Sequence, residues 1–120
     1  MLIHKHLIIT GHFDIINPTM WPWPKLHDLN DELLKELDMK VLSGPHTARC
    51  DDKGNEGWTM MTAITTSHII LHTWDTEDFQ LDIYSCKKYR VDTVLKVLEN
   101  NNFYGKKKQL IDRPFVKKDS

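Results

Sequence analysis

Trp58-Thr59-Met60-Met61-Thr62-Ala63-Ile64-Thr65 and, one residue on, Ser67-His68-Ile69-Ile70-Leu71-His72-Thr73-Trp74 are dense in threonine, isoleucine, methionine and tryptophan. Branched and aromatic side chains pack well on a pleated, half-buried surface, so both runs read as strands rather than helix. Phe79, Leu81 and Ile83 then alternate with Gln80, Asp82 and Tyr84. Period-two alternation makes a third strand with one apolar and one polar face, and parity puts Cys86 on the polar one.

Working outward, His4 to Phe13 is rich in Leu, Ile and Thr and reads as a first strand. Asn17-Pro18 and Trp21-Pro22-Trp23-Pro24 follow as an irregular connection, because proline opposes regular structure. Leu26, Leu29, Leu33, Leu34 and Leu37 keep the three-and-four spacing of an amphipathic helix. Val41 to Cys50 reads as extended but interrupted at Gly44-Pro45, and Asp51 to Glu56 as a polar turn. Val91, Val94, Leu95 and Leu98 mark a second helix ending in Asn100-Asn101-Asn102, and Tyr104 to Asp112 returns as a last strand. The tail, Lys117 to Ser120, is expected to fray.

Two helices and several mostly sequential strands predict an α+β fold: a two-layer sandwich, an antiparallel sheet with two helices packed on one face. The other sheet face then needs a cover, and the simplest cover is a second copy of the chain, so a homodimer is expected. With 120 residues and neither repeat nor linker, residues 1–120 read as a single domain.

Apolar residues make up 40% and charged residues 28% of the chain, near the averages for soluble globular proteins, which weighs against disordered and membrane-spanning classes. A net charge of -1 supplies no field for nucleic acid or an acidic membrane, so neither partner is expected. The start Met1-Leu2-Ile3-His4-Lys5 lacks the apolar core of an export signal, and the reading is cytoplasmic. Cys50 and Cys86 are then expected to stay reduced.

Among residues that carry chemistry, His4, His6, His12, His68 and His72 invite a metal reading. On a strand, however, His68 and His72 stand roughly 13 Å apart and cannot share one ion. No acidic or thiol ligand completes the pattern in sequence, so no metal is expected. Lys106-Lys107-Lys108 reads as a solvated strand end rather than a phosphate site, and the four tryptophans as core or interface fillers. Ser67, His72 and Asp82 are the members of a possible hydrolase triad. That reading lacks its setting, since no Gly-x-Ser-x-Gly elbow surrounds Ser67 and no glycine-rich turn offers an oxyanion hole.

One order of residues remains: Gly57-Trp58-Thr59, an apolar strand, Thr66-Ser67-His68-Ile69-Ile70-Leu71-His72-Thr73-Trp74, and then Asp82-Ile83-Tyr84-Ser85-Cys86. It resembles the small prokaryotic S-adenosylmethionine decarboxylases, which mature by self-cleavage into pyruvoyl enzymes. Their pattern is Gly-x-Ser/Thr, an apolar strand, Glu-Ser-His-x-x-x-His-Thr-Trp/Tyr-Pro-Glu and, further on, Asp-x-Phe-x-Cys-Gly. Lys5-His6-Leu7-Ile8 is similar to the family's first strand.

The resemblance implies cleavage between Thr66 and Ser67, with Ser67 becoming the pyruvoyl group and Thr59 assisting with its hydroxyl. His72 would take the proton in ester elimination, and Cys86 would donate the proton in decarboxylation. The pyruvoyl carbonyl would form a Schiff base with the substrate amine and draw off the electrons released with carbon dioxide. A geometric demand comes with these roles. Along one straight strand Ser67 and His72 lie about 16 Å apart, so the chain must bend near 66–68 or a neighbouring element must bring His72 back.

Three positions depart from the pattern: Thr66 replaces Glu, Asp75 stands where Pro is expected, and Lys87 replaces Gly. They leave three readings: a decarboxylase of S-adenosylmethionine for spermidine synthesis, a relative acting on ornithine or arginine, or an unprocessed homologue that only binds. The acidic Asp75-Thr76-Glu77-Asp78 loop would suit a cationic substrate of either kind.

Overall fold

The computed structural model describes residues 3–114 and 118. In chain order it has β1 (Ile3–Phe13), a 3₁₀ turn (Pro18–Met20), α1 (Trp23–Glu36), β2 (Val41–Cys50), β3 (Gly57–Ile64), β4 (Ser67–Trp74), β5 (Asp78–Ser85), α2 (Val91–Asn100) and β6 (Phe103–Pro114). The six strands form one sheet in the order β2-β3-β4-β5-β1-β6, and every neighbouring pair is antiparallel. The expected α+β sandwich is the one observed. β2 to β5 follow one another as hairpins, while β1 is inserted between β5 and β6.

Strand alternation decides which face is covered. Leu7, Ile9 and Phe13 of β1, Met60 and Ile64 of β3, Ile69 and Leu71 of β4, and Phe79, Leu81 and Ile83 of β5 are all buried. They share that layer with Leu26, Leu29 and Leu33 of α1 and Val94, Val97 and Leu98 of α2. Leu81 is fully enclosed at the middle of β5, paired to Ile9 on one side and Leu71 on the other. Truncation to alanine there leaves a cavity that rigid ladders on both sides cannot close. Leu81→Ala is expected to cost about 2–5 kcal/mol, seen as a lower urea midpoint at unchanged slope.

The opposite face carries the other parity: His6, Ile8, His68, Ile70, His72, Asp82 and Tyr84, none of them fully buried. No element of the described chain packs across it.

Two local expectations change. The proline-rich connection is shorter than expected, because α1 begins at Trp23 and takes Pro24 into its first turn. Proline is tolerated there, since the first helical N–H groups have no partner within the helix. Likewise β2 runs on through Gly44-Pro45, with register shifts against β3 on both sides of Ser43. Gly44 has φ +104°, and a Cβ there would meet the Met61 carbonyl oxygen at 2.8 Å. The interruption is thus a bulge rather than a strand end. Lys106 to Lys108 are exposed within β6. Of the tail, Lys117, Asp119 and Ser120 lie outside the described residues.

Candidate active site

The tight junction Thr65-Thr66 delivers the chain from β3 into β4, and Ser67 is the first residue of that strand. Its φ is +152°, a conformation that residues with a Cβ rarely adopt. Strain at the peptide between Thr66 and Ser67 is therefore held by the ladder on either side, where Ser67 pairs with Ile64 and with Ser85.

Around that peptide the end of β5 supplies a set of donors. The Cys86 backbone N–H donates to the Thr66 carbonyl oxygen at 3.3 Å. The fully buried Ser85 hydroxyl donates to Thr66 Oγ1 at 2.8 Å and accepts from the Lys87 N–H at 3.0 Å. Lys87 Nζ reaches the turn after α1, contacting the Asp38 carbonyl oxygen and lying 2.9 Å from Asp38 Oδ2. This hydrogen bond with the ammonium holds the Asp38 carboxyl below its ordinary pKa. Just beyond, the Tyr89 hydroxyl sits 3.1 Å from the carbonyl oxygens of both Lys5 and Ile83. Burial raises that phenol to about 12. Two of the three departures from the family pattern, Thr66 and Lys87, are thus joined in one network that fixes the Thr66 carbonyl against Cys86.

At the other end of the same strands, Thr59 and His72 face each other across β3 and β4, with Thr59 Oγ1 2.9 Å from His72 Nδ1. Gly57 allows this approach, because a Cβ there would stand 2.0 Å from the Thr73 carbonyl oxygen. The pair opens into a cleft of about 330 Å³ that Trp58, Trp74 and Gln80 also line. Trp74 is anchored by its indole N–H to Asn55 Oδ1 at 2.9 Å, and its ring lies near-parallel to His72 with centroids 6.0 Å apart.

The four residues singled out in the sequence therefore fall into two pairs, not one cluster. β4 is unbroken from Ser67 to Trp74, so the bend required to bring His72 back is absent. Five strand steps separate the two by about 16 Å. Register also places Ser67 on the side of Ile64, towards the helices, and His72 on the open side with Thr59 and Gln80. Within one chain His72 cannot exchange a proton with Ser67. The same distance dismantles the hydrolase triad, and Asp82 is engaged with His6 and His68 instead of His72.

The acidic loop is less available to a cation than the sequence suggests. Asp75 is held by Arg49 through two hydrogen bonds of 2.7 and 2.6 Å, which lower its carboxyl below the usual range. Asp78 accepts from Thr76 at 2.8 Å and pairs with His12 at 2.7 Å. Trp21 stacks on Phe13 and Trp23 packs edge-on against Trp58, as expected of core fillers. Trp74 alone among the four tryptophans lines both clefts at this end, the larger of which measures about 520 Å³.

An antiparallel sheet covered on one side by two helices is also the fold of a solved decarboxylase. The solved adenosylmethionine decarboxylase of Aquifex aeolicus VF5 shares it, with a TM-score of 0.61 and 19% identity over 98% of this chain and 94% of that one. The family model for S-adenosylmethionine decarboxylase matches residues 16–110. The chain belongs to this family, whose members are carboxy-lyases. Comparison with curated proteins finds no match. Among the described residues no helix is long and apolar enough to cross a membrane.

Proposed function

We propose that the chain is the proenzyme of a pyruvoyl-dependent S-adenosylmethionine decarboxylase, processed between Thr66 and Ser67. The observation that carries this is the strained Ser67 peptide whose carbonyl already accepts a hydrogen bond from the Cys86 N–H. Attack of Ser67 Oγ on the Thr66 carbonyl carbon forms an ester as the amide C–N bond breaks, and the hydroxyl proton passes to the freed amine. Charge builds on the carbonyl oxygen during that step, where a preplaced backbone donor is worth most. A base then takes the Ser67 α-proton, the Cβ–Oγ bond breaks, and Thr66 leaves as a carboxylate. Water releases ammonia from the remaining amine and leaves a ketone.

The residues fit a pyruvoyl group: position 67 opens the strand, and the Cys86 thiol follows directly on the strand that pairs with it. When formed, that group supplies an electrophile and electron sink for the substrate's amine-bearing carbon. Cys86 is the proton donor to the α-carbon, and Trp74, beside His72 at the far end of β4, gives a flat surface for an adenine ring where a second copy brings that cleft to Ser67. Decarboxylated S-adenosylmethionine would then serve as aminopropyl donor in spermidine synthesis.

Because His72 is out of reach of its own Ser67, the working unit is a homodimer in which the open faces meet. An antiparallel arrangement sets the Thr59–His72 pair of one copy over the Ser67 end of the other. Ser67 begins its strand, so a group arriving over the end of the sheet can reach it. Sedimentation of the purified protein should give twice the chain mass.

Intact mass and carbon dioxide release test the proposal together. Two fragments divided at Thr66-Ser67, with release from carboxyl-labelled S-adenosylmethionine but not ornithine or arginine, are expected. A chain that stays at 14.1 kDa without turnover makes it an unprocessed binding protein. Cys86→Ala retains the backbone N–H, so cleavage should proceed while turnover falls by about 10²–10⁴-fold. Full turnover in that variant would move the proton donor elsewhere.

A further inference from the structure

The open face holds a second constellation that the proposed decarboxylation does not use. His6 of β1, Asp82 of β5 and His68 of β4 stand on three adjacent strands, with Asp82 on the central one. His6 Nε2 lies 2.8 Å and His68 Nε2 3.1 Å from the same oxygen, Asp82 Oδ1. All three donor atoms fall within 4.8 Å of one another. The two rings meet nearly at right angles, 89° between planes, and both border Tyr84 with centroids 5.5 Å away.

We propose that His6, His68 and Asp82 bind a divalent transition-metal ion of the zinc type. Three observations support it. First, metal–ligand bonds of about 2.0–2.2 Å place neighbouring ligand atoms about 3 Å apart, the spacing found between each imidazole and the carboxylate. Small side-chain rotations would admit the ion. Second, two imidazoles and one carboxylate form the donor set suited to zinc, iron or cobalt, whereas magnesium and calcium favour oxygen alone. Third, the ligands are held by sheet ladders rather than loops, with Asp82 paired directly to Ile8 and Ile70. Their side chains keep only 17%, 35% and 33% of their surface exposed for His6, His68 and Asp82. With neutral imidazoles the set carries one negative charge, which a divalent cation overcompensates. Three protein ligands also leave a coordination position open for water or a small donor.

His68 follows Ser67 in the chain, yet its register partners put it on the other side of the sheet. The metal and decarboxylase readings are therefore separable. If the proposed dimer covers this face, each chain brings one ion to the interface.

The test is equilibrium dialysis of the purified chain against zinc, with metal counted by mass spectrometry, and replacement by cobalt read from its visible absorption. One equivalent per chain and the intense spectrum of a low-symmetry cobalt site are expected. Asp82→Asn and His6→Gln should each weaken binding more than roughly tenfold, while His12→Ala and His46→Ala leave it unchanged. Proton NMR of the wild-type chain supplies a reading that needs no variant: of the seven histidines, the imidazole signals of His6 and His68 should respond to zinc. The same titration on Ser67→Ala removes any dependence on processing. No stoichiometric binding, or binding indifferent to Asp82 and His6, would make the cluster a hydrogen-bonded group only and overturn the proposal.

Discussion

Ser67→Ala should leave the chain intact at 14.1 kDa under conditions where the unaltered protein divides completely. Alanine preserves the backbone, the ladder pairs to Ile64 and Ser85, and the Cys86 donor on the Thr66 carbonyl. Only the attacking oxygen is lost, and with it every later step: no ester, no elimination, no electrophile. Decarboxylation should fall to background rather than decline by a factor. Circular dichroism should match the unaltered protein, which separates lost chemistry from lost fold. Cleavage persisting between residues 66 and 67 in this variant would end the self-processing account.

The second large effect concerns which copy supplies the base. His72→Ala should slow processing by about 10²–10⁴-fold, the usual contribution of a positioned proton acceptor. Ser67→Ala should not process at all. Mixed in one dimer, the two defective chains rebuild one complete site, from the intact Ser67 of the first and the intact His72 of the second. Co-expression with different tags should therefore restore cleavage of the His72→Ala chain and of no other. The reasoning is metric: an unbroken β4 keeps the two residues of one chain about 16 Å apart, beyond any direct proton transfer. Mixed dimers that form without recovery of cleavage would remove His72 from the processing step.

Much of the architecture is legible in the chain because it depends on short-range periodicity. The alternation through Phe79 to Tyr84 sets the two faces of β5, and the leucines of α1 set its buried stripe. Helix and strand each impose one period, and a buried face records it in neighbouring residues. Two local rules of proline and glycine are modified by position in the fold. Proline ends a helix in the interior but not in its first turn, which is how Pro24 lies inside α1. Gly44-Pro45 reads as a break, but the sheet absorbs it as a bulge because Gly44 accepts φ +104°.

The site divides differently. Its residue types, the family pattern they make and the place of Ser67 at the head of a strand all follow from chain order, whereas the strain at Ser67 is seen only in the backbone. Thr59 and His72 are also brought together by hairpin register alone. Where the pairs stand relative to each other needs the sheet, because a ladder carries Ser67 and His72 apart as rigidly as it joins His72 to Thr59. The network linking Thr66, Ser85, Lys87 and Asp38 has no sequence signal either, since it spans a hairpin and the turn after α1.

By itself, then, the chain determined its layers, its family and the residues able to react, all properties written in spacing and residue type. Only the tertiary structure decided that those residues form two separated pairs, and that Asp82, 76 positions from His6, stands within hydrogen-bonding distance of both it and His68. The physical reason is the insertion of β1 beside β5: strand order is chosen by burial of the whole apolar face, and no local pattern along the chain encodes it.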